Sequence, residues 1–192
     1  SGCAQQGVLK YGKEGDNHYE RISAFIKSMR GSDRDAALYY LARMLYAGED
    51  PKFIARRIMI CASEDVSNAD PMALVVAVNA SLAAERVGMP EAQLILAQAA
   101  AYVATAPKSV ATTDAIFEAM KLVEEQRTAS IPPYLQDAHY SDAGKLGHGI
   151  GYKYPHLFPG HFVEQQYLPD EIKDRVFYRP DGQGYEKTIM QY

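Results

Sequence analysis

The feature that most constrains this chain is its helix punctuation. Caps, glycines and prolines recur at about one helix length from residue 15 to residue 107. Asn17 and Glu20 have the spacing of a capping box, in which each side chain satisfies a free backbone N–H of a first turn. Ile22, Phe25, Ile26 and Met29 then fall at i, i+3, i+4 and i+7, one apolar stripe. Gly31 is expected to close this helix in the left-handed conformation, with Ser32 and Asp35 capping the next. Ala37, Leu38, Leu41, Met44 and Leu45 form the second helix's apolar face, and Gly48 ends it. Asp50-Pro51 opens a third helix, with Pro51 at the first helical position, where its missing N–H costs nothing. That helix runs to about Ala62, with Phe53, Ile54, Ile58 and Cys61 on its apolar side. Residues 63–69 are polar and read as a loop.

Asp70-Pro71 repeats the cap-and-proline start. The helices predicted over 71–87 and 90–105 are apolar over most of their circumference and rich in alanine. Such helices belong inside something: the centre of their own domain, or a face covered by another subunit. Gly88 and Pro107 end them, and a last clear helix runs over 112–126 with Ile116, Met120 and Val123 in register. At Ile131 the character changes. Pro132-Pro133 breaks the helical pattern, and the rest is rich in Tyr, His, Gly and Pro. That composition is too aromatic for disorder and too irregular for a long helix or sheet. The expected class is all-α: a helical bundle over 15–130, preceded by an upstream remnant over 1–14. An irregular C-terminal arm over 131–192 packs on the helices or a neighbouring subunit, with a short helix near 169–176.

The 192 residues carry 47% hydrophobic and 23% charged side chains, enough apolar sequence to bury a core without metals or disulfides. A net charge of -4 advertises neither nucleic acid nor membrane, although a local basic patch remains compatible with it. Cys3 and Cys61 do not make a disulfide framework, which fits a reducing, cytoplasmic compartment. No stretch reads as a membrane span or signal peptide. The missing initiator Met is read as a start inside a longer protein.

Candidate chemistry is sparse. Gly147, Gly149 and Gly151 form a glycine cluster, but it follows no obvious strand and opens no helix, so a turn explains it. His139, His148, His156 and His161 crowd the arm without the spacing of a zinc site. Asp33, Asp35, Glu64, Asp65 and Asp70 cannot be assembled into a catalytic set by spacing, so no catalytic, cofactor-binding or metal-binding residue is assigned. Ser23, Lys27 and Arg30 lie along one polar stripe near Arg34, and Lys52, Arg56 and Arg57 form a second basic strip. Either could grip a phosphate backbone, and either is also what a solvated face looks like. Tyr39, Tyr40 and Tyr46 suit packing or a subunit interface.

The literal words carry more. HYERISAFIKSMRGSDRDAALYYLARML, GEDPKFIARRIMICASEDV, ADPMAL, PEAQLILAQAAAYVATAPKS, LGHGIGYKYPH and QQYLP, in this order, resemble the C-terminal part of the RarA/MgsA family of AAA+ ATPases. These replication-associated recombination proteins are related to the Werner-helicase-interacting protein. The resemblance implies a helical region like a clamp-loader collar, following an N-terminal ATPase module and lid. It implies ATP and Mg in that absent module and none in this chain. It further implies tetramers (dimers being the lesser alternative), work on DNA at stalled forks, and partnership with single-strand-binding protein in a nucleoid-associated, cytoplasmic setting. The hairpin at 15–51 would then follow the lid, with Lys27, Arg30 and Arg34 as a contact surface. Three classes of reading follow: an assembly region, a binding module using the basic faces, and a small metal enzyme using the His-rich arm.

Overall fold

The computed structural model describes residues 17–126, 129–137 and 149–192. Among them every regular element is helical: α1 (His18–Arg30), α2 (Arg34–Tyr46), α3 (Pro51–Cys61), α4 (Met72–Val87), α5 (Ala92–Thr105), α6 (Ala111–Glu125) and the single turn α7 (Glu186–Ile189). The all-α expectation holds for these residues. They form two compact units, one of residues 17–116 with 178–192, the other of the described residues between 117 and 177.

The caps fall close to where the sequence puts them. Asn17 accepts from the Glu20 N–H at 3.0 Å, Asp50 from Lys52 N–H at 2.9 Å, and Asp70 from Met72 N–H at 3.1 Å. The first turn differs by one residue. Gly31 stays near helical, at φ -82°, and Ser32 takes the left-handed conformation at φ 64°. That shift makes Asp33, rather than Ser32 with Asp35, the cap of α2: its carboxylate accepts from Ala36 N–H at 2.9 Å. Gly48 and Gly88 do adopt the positive φ that a side chain would resist.

The core of the larger unit fills from the predicted stripes. Phe25 and Met29 of α1, Met44 of α2, Ile54 and Ile58 of α3, and Leu96 and Val103 of α5 are fully buried. Helix α5 packs against α1, α2, α3 and α4. Helix α4 packs against both α5 and α3, and the side chains it buries are all small: Ala73, Ala77, Ala80 and Ala84, beside an α5 that buries Ala92, Ala99 and Ala100 among larger residues. Of the two readings open for such a helix, α4 does not sit at the centre of its own domain: it has one buried face and one exposed face. Alanine permits close approach on one face only, and Leu74, Val75, Val78 and Leu82 are left on the surface.

Residues 63–69 are not a loop. Helix α3 continues into a π-helical turn, Ala62–Val66, and a 3-10 turn, Ser67–Ala69. The π turn carries Asp65 and Val66 into the interior, where tertiary partners satisfy what looked like a solvent-facing stretch. Near the C-terminus, Tyr185 N–H donates to the Ala69 carbonyl at 2.8 Å, and the fully buried Glu186 accepts from Tyr178 O–H. Gly184 makes this close approach possible: at φ 54°, a Cβ there would stand 2.1 Å from the Ala69 oxygen and 2.7 Å from Pro107 Cγ.

Beyond the part of α6 that it contains, the smaller unit is built, among the described residues, from short turns. Three of its 3-10 turns begin at Pro133, Pro155 and Pro159. The helix expected near 169–176 shrinks to one turn, Asp170–Ile172, because Pro169 sets only the entry φ and no apolar stripe follows to hold a longer helix. Tyr134 O–H donates to the Gln166 carbonyl, and Gln165 bridges to the Lys153 carbonyl at 2.8 Å.

Gly184→Ala should free the C-terminal segment from Ala69. The expected loss is about 1–3 kcal/mol in urea unfolding, with earlier protease cleavage after residue 178, and an unchanged midpoint would show that the contact contributes little.

Candidate functional site

The two candidate basic faces are placed differently. Lys27 and Arg34 are exposed on α1 and at the start of α2, and Ser23 is half-buried. Arg30 is not free to meet a ligand with its whole guanidinium: its Nε donates to Asp65 Oδ1 at 3.0 Å, with the side chain still about half exposed at 48%. On α3, Arg56 is exposed and its guanidinium lies 5.8 Å from the Phe53 ring centroid. Arg57 is half-buried, and its Nε lacks a hydrogen-bond partner among the described residues. Lys52 reaches Glu85 at 3.5 Å, an exposed pair of little energetic weight. Tyr39 is exposed and Tyr40 half-buried; their rings meet edge to face at 5.3 Å, with the Arg43 guanidinium 5.7 Å from the Tyr39 ring.

The buried titratable groups form a separate cluster that spacing does not reveal. Asp65, 4% exposed, accepts from Arg30 Nε and, at 3.4 Å, from the Cys61 thiol, while its own carbonyl accepts from Ser109 N–H at 2.8 Å. Burial pushes the Cys61 thiol up to about 12, and the neighbouring Asp65 carboxylate adds to that rise. Nearby, Lys108 Nζ donates to the carbonyls of Ala104 and Ala106 at 3.0 and 2.6 Å and to Ser32 Oγ at 3.1 Å. Burial holds this ammonium below the usual lysine range. The ammonium thus caps the carbonyl end of α5 and ties it to the α1–α2 turn. These groups are spent on one another. The only trace in the sequence is Cys61 standing four residues before Asp65, one turn of a helix that the polar composition of 63–69 disguises.

At the hairpin's other end, Glu49 accepts from Arg21 at 2.9 Å and lies 2.6 Å from His18 Nδ1. Burial alone would raise its carboxyl, but the hydrogen bonds and charges of His18 and Arg21 hold it below the usual carboxylate range. Of the four arm histidines, His139 and His148 lie outside the described residues. His156 and His161 face each other on the surface with their Nδ1 atoms 2.8 Å apart. Among the described residues no group of three His, Cys, Asp or Glu side chains could hold a metal ion. Gly147 also lies outside them, while Gly149 and Gly151 form a turn at positive φ.

The helices also leave apolar side chains on the surface. Leu74, Val75, Val78 and Leu82 of α4 are between 39% and 57% exposed, with Met72 and Val87 at either end. Between α4 and α5 runs a shallow groove that includes Val76, Asn79, Ile95 and Gln98. A second groove lies between α2 and α5 and includes Leu38, Leu45, Tyr46 and Leu94.

The described residues thus make an all-helical fold whose buried titratable groups are committed to structure. A family model described as the C terminal of the MgsA AAA+ ATPase matches residues 31–192, and the chain belongs to that family. It is 54% identical over 184 residues to an uncharacterized AAA domain-containing protein of Mycobacterium tuberculosis, covering 96% of this chain and 41% of the relative. To replication-associated recombination protein A of Bacillus subtilis it is 45% identical over 190 residues, covering 98% and 45%. To the ATPase WRNIP1 of Dictyostelium discoideum it is 39% identical over 175 residues, covering 91% and 20%. The chain therefore spans less than half the length of these relatives.

Cys61 should be inert in the native chain. A shift from 9.0 to about 12 leaves about a thousandfold less thiolate at neutral pH than a free thiol has. In a Cys3→Ser background, iodoacetamide at pH 8 followed by mass spectrometry should label Cys61 only as fast as the chain unfolds. Rapid labelling under native conditions would contradict the burial described here.

Proposed function

We propose that this chain is the assembly region of a replication-associated AAA+ ATPase, holding copies of that protein together as a tetramer. The observation that carries it is the outward-facing aliphatic ridge of α4, which a helix leaves to water only at a cost. Contiguous exposed apolar surface of this kind marks an interaction site. Membership of the family supports the parent activity: the longer protein hydrolyses ATP with Mg in a module outside this chain, and acts on DNA in replication-associated recombination with single-strand-binding protein. On this reading the region works without a catalytic centre of its own. It divides into the helical part up to residue 130 and the C-terminal arm. Assembly raises the local concentration of the linked modules and fixes which subunit faces which. A cytoplasmic, nucleoid-associated setting fits such work, and no helix among the described residues is long and apolar enough to cross a membrane.

Light scattering on the purified chain at tens of micromolar should give the mass of a tetramer, or at least a dimer. A monomer throughout that range would overturn the reading.

A second role rests on a separate observation, the exposure of Lys27, Arg34 and Arg56. These residues would touch the phosphate backbone that the parent protein works on, with Arg30 held alongside by Asp65. Gel shifts at low salt should then show binding that falls steeply as salt rises, and Lys27→Glu with Arg34→Glu should weaken it at least tenfold. Equal binding by the double variant would remove these residues from any DNA contact.

A further inference from the structure

We infer that the α4 ridge is a twofold interface, in which α4 of one copy packs antiparallel against α4 of a second copy with Val78 on the axis. This rests on the self-association proposed above and names its surface. The first support is electrostatic. Residues 72–84 carry no charged side chain, so a copy placed against itself meets no like charge. An exposed apolar stripe on α6 differs in this respect: Phe117, Met120 and Val123 stand among the charged Glu118, Lys121, Glu124 and Glu125.

The second support is the symmetry of the stretch itself. Val78 is the midpoint of residues 72–84. An antiparallel pair centred there sets Leu74 opposite Leu82, so that the ridge is its own complement, as a twofold contact requires. The same register sets Arg86, exposed just beyond the uncharged run, opposite Asp70 of the second copy. Asp70 is only half-buried, and it already holds the α4 start and the Tyr102 hydroxyl at 2.8 Å, so it is a fixed anion waiting at the helix end. Two such pairs would close the two ends of the contact.

The third support is shape. Beside the ridge lies the uncharged α4–α5 groove, lined by Val75, Val76, Ala80, Ala83, Ile95 and Ala99 together with two amide side chains. One face therefore offers both a ridge and a shallow trough without a charge in either. Ridges of one helix fitting the grooves of another is how helices pack at close range.

The test uses the intact chain in a Cys3→Ser background, leaving Cys61 buried. Light scattering reads the mass of wild type, Leu82→Glu and Leu94→Glu. A short bismaleimide reads the proximity of Val78→Cys to its own copy, with Leu94→Cys as the control. Leu82 and Leu94 are exposed, so both glutamate variants should keep the wild-type circular dichroism. The expected result is a wild-type assembly, at least a twofold drop in mass for Leu82→Glu alone, and covalent dimers for Val78→Cys alone. If the wild-type chain assembles while Leu82→Glu keeps its mass and Val78→Cys does not cross-link, this face is wrong and self-association stands. If Leu82→Glu falls apart but Val78→Cys does not cross-link, the antiparallel pairing is overturned. A monomeric wild type removes the self-association reading and the interface with it.

Discussion

The seam between α4 and α5 governs much of the larger unit. Four alanines are the buried residues of α4, and α5 answers with alanines of its own. Small side chains let helices approach closely, and a larger one inserted there would have to force them apart. The consequence is felt on the opposite side of α4. A helix has one circumference, and if alanine occupies the inward arc, its leucines and valines must occupy the outward one. The domain therefore closes its own core with the small residues and presents the large ones. That inversion leaves an aliphatic ridge along the outer face of α4.

Polar groups reinforce the same frame at points where the chain leaves helical geometry. The π turn after α3 carries Asp65 inward, where Arg30 of α1 and the Cys61 thiol meet it and Ser109 holds its backbone. Lys108 closes the carbonyl end of α5 against the α1–α2 turn. The C-terminal turn rejoins the larger unit by the Ala69 carbonyl, with Glu186 satisfied by Tyr178 and by Asp181 N–H at 3.4 Å. Each of these groups would be costly if left unpaired in the interior, so each fixes a junction rather than a reaction. Among the described residues, these buried acids and bases are thus committed to the frame.

The sequence and the geometry meet most closely at the family assignment, where the order of short words along the chain points to the C-terminal region of the MgsA AAA+ ATPases. The basic residues are the opposite case. Their types are visible in the chain, yet only the structure separates Lys27 and Arg34, which are free to reach out, from Arg30, which is tied to Asp65.

Local signals determined the helical class and most helix starts, because a capping carboxylate or amide and a fixed proline φ act within one turn of chain. Asn17, Asp50 and Asp70 cap where they were expected to cap. The apolar stripes of α1, α2 and α3 were legible for the same reason: periodicity records which side of a helix is to be buried. Tertiary structure alone decided what depends on distant partners. Ser32 rather than Gly31 takes the left-handed turn, and residues 62–69 become helical turns around a buried acid. On an evenly apolar helix such as α4, no periodicity says which arc faces inward. The choice fell to packing against α3 and α5, where close approach favours alanine, and that choice left Leu74, Val78 and Leu82 outside.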